Sequence, residues 1–321
     1  MRFAWVGFHA EGVSALDALL EAGAPVQGVI TLRPDLAAKR SGGADYFPVC
    51  VRRGVPLHHI TDINGPEATR ILQVIRPDVV FVIGWHQIIR EPALALAKVG
   101  MVGAHASLLP HNRGSAPINW AIINGEKETG NSLIWLAPDV DAGDLIDQRA
   151  FPISLYDTCA TLYQQVAVTN RDMLLALLPR LMAGERPGRP QPRTEEPVLR
   201  RRRPADGAMD WEQPASRIYD FVRALTRPYP GAFSNLDGRC WKIWRASFST
   251  ADGEGRRPGE ILGAALSPDA ASCGQVVACA GGVLTILEIE SDDGQVLSGP
   301  RLAEQRWTGK RFHANHPAGV A

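Results

Sequence analysis

Short apolar runs alternate with helical periods through the first half of the chain. Arg2–Phe8 (RFAWVGF) reads as a buried strand, Gly12–Glu21 places apolar residues at helical spacing, and Pro25–Leu32 (PVQGVITL) returns to strand. The polar, glycine-containing stretch RPDLAAKRSGGADYF reads as a loop over the sheet edge. Tyr46–Gly54 and Pro66–Ile75 read as helices flanking a short strand at Pro56–His58. Asp78–Ile83 (DVVFVI) is continuously apolar, as expected of a strand covered on both faces. This alternation predicts an α/β fold, a Rossmann-like, doubly wound and mostly parallel sheet whose ligands sit beyond the carboxyl ends of its strands. Two loops leave such ends: GWHQII after Ile83, and GAHASLLPHNRG after Met101–Val102. Ser132–Leu136 adds a strand running into APDVDAGD, and Leu155–Met182 carries a long helical pattern.

At Ala183–Arg203 the composition turns to proline, glycine and charge, as in linkers. Beyond it, Pro214–Arg223 reads as one amphipathic helix. The runs CWKIWRASF, GEILGA, GQVVACAGG and GVLTILEIE then predict a small β-rich, OB-like barrel. The expected division is a catalytic domain over 1–203, a C-terminal domain over 204–312 and a loose tail over 313–321. Trp241 and Trp244 lie three apart in a strand-like run, which places them on opposite faces, in core packing or at a dimer surface.

Composition narrows the function classes. The 321 residues suffice for two domains, and the charged residues, 21% of the chain, balance to zero, which argues against a strongly basic nucleic-acid binder. No apolar run is long enough for a membrane span, and MRFAWVGFHAEG lacks a signal-peptide layout. The five cysteines show no CxxC pairing, so neither a metal site nor a disulfide framework is expected. The expectation is a reduced, cytoplasmic enzyme.

The candidate chemistry lies in His105-Ala-Ser-Leu-Leu-Pro110, Arg113-Gly114, Pro117, Trp120, Gly125, Gly130 and Asp141-Ala-Gly143. This combination resembles the folate-dependent formyltransferases. Trp211 and Pro228-Tyr-Pro-Gly-Ala-Phe233 are similar to the members that carry a C-terminal barrel-like domain. The likeness runs from Arg2 to about Arg306. It implies a 10-formyltetrahydrofolate donor and an acceptor amine that attacks the formyl carbonyl, generating an oxyanion and an ammonium. Such a site needs a hydrogen-bond donor and a proton acceptor. A histidine titrating near neutrality supplies either, and a nearby carboxylate orients it. The resemblance assigns these roles to His105 and Asp141. It also implies that the pterin ring lies between Trp85-His86-Gln87-Ile88 and Ala137-Pro138-Asp139-Val140, read largely by backbone. His58 and His111 are read as structural, and Asp139, Asp144 and Asp147 as turn or strand-end residues rather than catalysts.

In the family an asparagine stands two residues before the histidine; here that residue is Gly103. Losing one such donor costs about 10²–10³ in rate. Three readings follow: another donor substitutes (Asn131, Ser107 or a water in the vacated space), turnover is slow, or the space serves a different acceptor or acyl group. A non-catalytic folate- or nucleotide-binding protein is a further reading, which the intact His105–Asp141 pair opposes.

For the acceptor, LRPDLAAKRSGGADYF carries only three basic residues against two acids, which makes tRNA an improbable partner. The chain is more similar to nucleotide-sugar N-formyltransferases, such as those acting on UDP-linked 4-amino-arabinose, through His9, WAIINGEKETG, DAG and RRxPxDG…W. This implies a nucleotide-linked amino sugar, with a methionyl-tRNA, peptide or amino-acid amine as the alternatives, and relatives that commonly form homodimers. Arg201 and Arg202, within RRRR at 200–203, read either as a clamp on the acceptor's diphosphate at an interdomain cleft or as a solvated linker. Arg113 touches an anionic ligand or braces its loop, and His9 belongs with the acceptor.

Overall fold

The computed structural model describes residues 1–250 and 255–313. They divide into two compact units: 1–118 with 127–153 and 161–201, and 119–126 with 154–160 and 202 onward.

The first unit is built on a seven-stranded sheet: β1 (Phe3–Val6), β2 (Val26–Leu32), β3 (Leu57–Ile60), β4 (Val79–Val82), β5 (Gly100–His105), β6 (Glu128–Trp135) and β7 (Leu145–Pro152). Their order is β3-β2-β1-β4-β5-β6-β7. The strands β1 to β5 are parallel, whereas β6 runs antiparallel to β5 and β7 antiparallel to β6. Side chains alternate across the pleat. Phe3 and Trp5 join Phe81, Val102 and helix residues Leu16, Leu19, Leu174 and Leu177 on one face. Ala4 and Val6 join Ile30, Val80 and Val82 with Leu72 and Ile75 on the other. Burial on both faces is why these strands read as unbroken apolar runs.

The helices Val13–Glu21, Phe47–Arg53 and Pro66–Ile75 stand where the periodicity put them. A short helix, Pro34–Ala37, interrupts the expected loop, with Pro34 at its first turn. The helix expected from Leu155 begins at Cys159, because the Asp157 carboxylate accepts from both the amide and the hydroxyl of Ser154 and makes a turn there. Strand β6 starts before Ser132, and β7 was not foreseen: as an edge strand of mixed burial (LIDQRAFP), it carries no clean period.

The second unit holds the helix Ala215–Leu225 and β8 (Ala232–Leu236), β9 (Arg239–Ser249), β10 (Ile261–Ala265), β11 (Gly274–Cys279), β12 (Gly282–Ser291) and β13 (Val296–Ser298). The antiparallel sheet runs β10-β11-β12-β9-β8, with β13 on β12. The two ends of this sheet are joined by Lys310–His313. His313 exchanges both backbone bonds with Asn235 of β8 (3.0 and 2.9 Å), while Phe312 N donates to Gly259 O (2.8 Å) and Ile261 N to Lys310 O (2.8 Å). The ring thereby closes as a barrel. His313, expected to open the tail, is thus part of the wall; the rest of that stretch, 314–321, lies outside the described residues. Trp241 and Trp244 are both buried. Trp241 meets Trp307 edge-on (5.4 Å between centroids), and Trp244 Nε1 donates to Glu290 at 2.8 Å.

Candidate active site

The chain winds outward from β1 through β2 to β3, then returns to β4 beside β1, so the topological switch point lies between β1 and β4. The loops leaving these two strands are tied together: the amides of Phe8 and His9 both donate to Gly84 O (3.2 and 3.3 Å). The Phe8 ring lies edge-on to His86 at 5.0 Å and to Trp85 at 5.9 Å. Trp85 Nε1 and His86 Nδ1 are buried without a hydrogen-bond partner among the described residues. Burial first, then the charges of Arg40 and Arg201, press the His86 pKa down to about 4, so its ring is neutral at physiological pH. Gln87 acts as a staple, accepting from Ile63 N and donating to Thr61 O (both 2.9 Å), while Ile88 is exposed. His9 caps its own turn, with Nδ1 accepting from Glu11 N at 3.4 Å and lying 3.5 Å from the Glu11 carboxylate. Its ring packs on Tyr163 at 5.3 Å.

His105 ends β5, and Asp141 lies in the loop between β6 and β7. His105 Nε2 stands 2.8 Å from Asn112 O. A carbonyl only accepts, so Nε2 carries the hydrogen and is committed to the loop. The remaining ring nitrogen, Nδ1, faces Asp141 Oδ2 at 3.4 Å. That same oxygen accepts from Gly114 N at 2.9 Å, which ties the Arg-Gly turn to the pair. Asp141 holds a left-handed backbone (φ 51°), a conformation aspartate tolerates better than most residues. Gly143 is required beside it: a Cβ there would stand 1.7 Å from Trp135 O.

The space beside Gly103 is not vacant. A Cβ at this residue would lie 2.4 Å from Leu136 Cδ2, so leucine fills the volume that a longer side chain would enter. A longer side chain at 103 would therefore have to displace Leu136. Asn131 is engaged elsewhere. It is fully buried and directs Nδ2 to Asn170 Oδ1 (2.6 Å) and Thr169 Oγ1 (3.0 Å), on the helix Cys159–Met182. The Ser107 hydroxyl donates to His111 O at 2.7 Å and braces the loop. Asn131 Nδ2 and the Ser107 hydroxyl thus both donate to groups of the protein itself.

Ala137–Val140 follows β6, with Pro138 and Asp139 exposed. Arg113 has its Nε buried without a partner among the described residues. Arg201 follows a segment paired with this loop: Leu199 N donates to Arg113 O (2.7 Å) and Ser115 N to Leu199 O (3.0 Å). Arg202 belongs to the second unit, with its guanidinium 5.0 Å from the Trp120 ring centre and 5.5 Å from that of Phe221, and it donates to Asp206 O at 2.6 Å. Those contacts hold the Arg202 guanidinium within the second unit, whereas Arg201 is exposed.

Sequence reasoning missed Asn112, whose carbonyl fixes the histidine tautomer, and Gln191, whose Nε2 donates to Asp141 O (2.8 Å) and Gly143 O (2.7 Å). Backbone carbonyls leave no mark in a sequence. Gln191 did have a signal, for it stands between Pro190 and Pro192.

A doubly wound sheet whose loops bring His105 to Asp141, followed in the chain by an antiparallel barrel, defines a class of α/β enzyme. The chain belongs to the formyl transferase family. Residues 11–178 match the formyl transferase domain and residues 202–306 the formyl transferase C-terminal domain. The family expected from the His105 and Asp141 motifs, and the fold expected with it, are thereby borne out.

Among solved structures, HypX from Aquifex aeolicus in complex with tetrahydrofolic acid is similar at 19% identity and a TM-score of 0.62, over 95% of this chain and 47% of that one. This chain therefore spans about half the length of HypX. An N-formyltransferase from Helicobacter canadensis, in complex with folinic acid and dTDP-3-aminofucose, is 17% identical with a TM-score of 0.65, over 88% of this chain and 98% of that one. WlaRD, a sugar 3N-formyltransferase in the presence of dTDP and 5-N-formyl-THF, is 16% identical with a TM-score of 0.63, over 92% and 99%. At these identities the likeness is one of fold.

Proposed function

We propose that this protein is an N-formyltransferase that moves the formyl group of 10-formyltetrahydrofolate to the primary amine of a nucleotide-linked amino sugar. The observation that carries the reading is the His105 Nδ1–Asp141 Oδ2 pair at the strand ends, with the other ring nitrogen committed to Asn112. The folate-bound and dTDP-sugar-bound neighbours support the donor and acceptor classes.

The residues present fit the donor. Trp85 Nε1 and His86 Nδ1 are orphaned polar atoms at the switch point, and a neutral His86 both donates and accepts, as a polar heterocycle requires. Ala137, Pro138, Asp139 and Val140 supply the other wall, while Gln87 and Ile88 set the backbone of the first. The donor supplies an activated formyl carbonyl. Transfer places negative charge on the carbonyl oxygen and frees a proton from the attacking amine. His105 offers Nδ1, the ring nitrogen not committed to Asn112, for hydrogen bonding to that oxygen or for carrying a proton. Asp141 receives the amine proton, directly or through water; as the tetrahedral adduct collapses the carbonyl re-forms, the bond between the formyl carbon and N10 breaks, and that proton passes to N10 of the departing tetrahydrofolate. Because Nε2 is committed, one nitrogen does this work, and residue 103 contributes no donor. Arg113 and Arg201 face the acceptor's anionic group, and His9 lies beside the amine-bearing end.

The test is 10-formyltetrahydrofolate turnover, followed spectrally, against UDP-, GDP- and dTDP-linked amino sugars. We expect turnover with one sugar class and a loss of about 10²–10⁴-fold in His105→Ala. Turnover with none of the sugars while folate still binds would overturn the acceptor. Absence of folate binding would overturn the mechanism.

A further inference from the structure

The segment from Pro187 to Arg201 has the composition of a linker, yet it is pinned along its length to the first unit. Trp135 Nε1 donates to Pro187 O (2.6 Å). Arg189 exchanges both backbone bonds with Leu145 at the start of β7 (2.9 and 2.7 Å). Glu196 meets His111 Nδ1 at 2.7 Å, and Leu199 pairs with Arg113 and Ser115. This strap therefore bridges the loop carrying Asp141 and the loop that follows His105.

We infer that Gln191 is a positioning residue for the acid–base pair: its side-chain amide clamps the carbonyls on either side of Ala142 and so sets the distance from Asp141 to His105. The inference rests on the reading of that pair given above. Both carbonyls only accept, so the atom bonded to them (2.8 and 2.7 Å) must be the amide nitrogen. The two bonds span residues 141 and 143, where a left-handed aspartate precedes a glycine packed on Trp135 O. Such a turn has no strand partner of its own and needs an outside donor to hold its carbonyls. The flanking prolines explain how a linker-like segment delivers that donor. Each fixes its own φ and biases the residue before it, Arg189 and Gln191, toward extended backbone. The amide thus arrives on a stiff, extended rod anchored at Arg189.

The test is a double-mutant cycle of Gln191→Met and Asp141→Asn, with kcat and KM measured for formyl transfer and ¹⁵N spectra of the histidine side chains recorded at one pH. We expect Gln191→Met to lower kcat about 10²-fold, the scale of a reacting group displaced by about 1 Å, with KM for the donor little changed. In the Asp141→Asn background the same substitution should add nothing, since it acts through a carboxylate already lost. Gln191→Lys, which keeps a donor, should recover part of the rate. The His105 ring resonances should move in Gln191→Met. Equal losses in both backgrounds, or unmoved ring resonances, would overturn the inference. If Gln191→Met does not fold, Gln191→Glu, equal in length but without a donor, makes the same comparison. If the protein transfers no formyl group to any amine, the functional reading fails on its own, and the ring spectra still decide the role of Gln191.

Discussion

Gly103 and Leu136 form a reciprocal pair: a side chain at one occupies the volume of the other. Placing asparagine at 103 overpacks this spot, and we expect Gly103→Asn to lower stability by about 1–3 kcal/mol. Combining it with Leu136→Ala should restore most of the loss in denaturant titrations. An additive effect of the two changes would show that they do not share a space. At this scale the contact of His105 with Asp141 was legible, because both sit in dense motifs whose glycines and prolines shape the loops around them. Leu136 was not legible: nothing in a sequence shows which side chain turns into the space a glycine leaves. Gln191 was hidden differently, since proline and charge around it match a solvated linker as well as they match a stiff strap.

The elements were legible in proportion to their burial. Strands β1, β2 and β4 are covered on both faces and gave unbroken apolar runs. Strand β7 lies at the sheet edge, half exposed, and gave none. In the barrel, β9 to β12 were read correctly, whereas β8 is short and the closing stretch Lys310–His313 pairs through isolated bridges. That stretch carries real packing. Phe312 is 1% exposed and stacks on Trp211 at 5.5 Å. Phe312→Ala should therefore cost about 3–5 kcal/mol, as for other buried aromatic truncations, seen as a lower melting temperature. A shift no larger than that of a surface substitution would mean that the barrel closes without it.

Across the whole molecule, zero net charge hides local imbalance. Arg40 and Arg201 both bear on His86 and, with burial, keep it neutral until about pH 4. The unfolded chain takes up this proton near the ordinary value of 6.5, so the folded state binds fewer protons between the two pH values. Stability should fall as pH drops from 6.5 toward 4, and His86→Gln should lose less over that window in urea titrations. Equal slopes for the two proteins would remove His86 from the acid response. Overall composition argues against a strongly basic nucleic-acid binder but does not reveal this arrangement, because Arg40 and Arg201 are 161 positions apart in the chain.

The barrel's closure by Lys310–His313 has a consequence in time. A ribosome delivers Asn235 long before His313, its pairing partner. At 5–20 residues per second the edge of β8 at Asn235 stays open for about 4–16 s of synthesis, whereas the mixed sheet of the first unit already has all its strands once β7 has emerged. A nascent chain thus carries a finished sheet ahead of an unfinished ring, and during that interval the open edges of β8 and β10 are what a chaperone, or another chain, would meet.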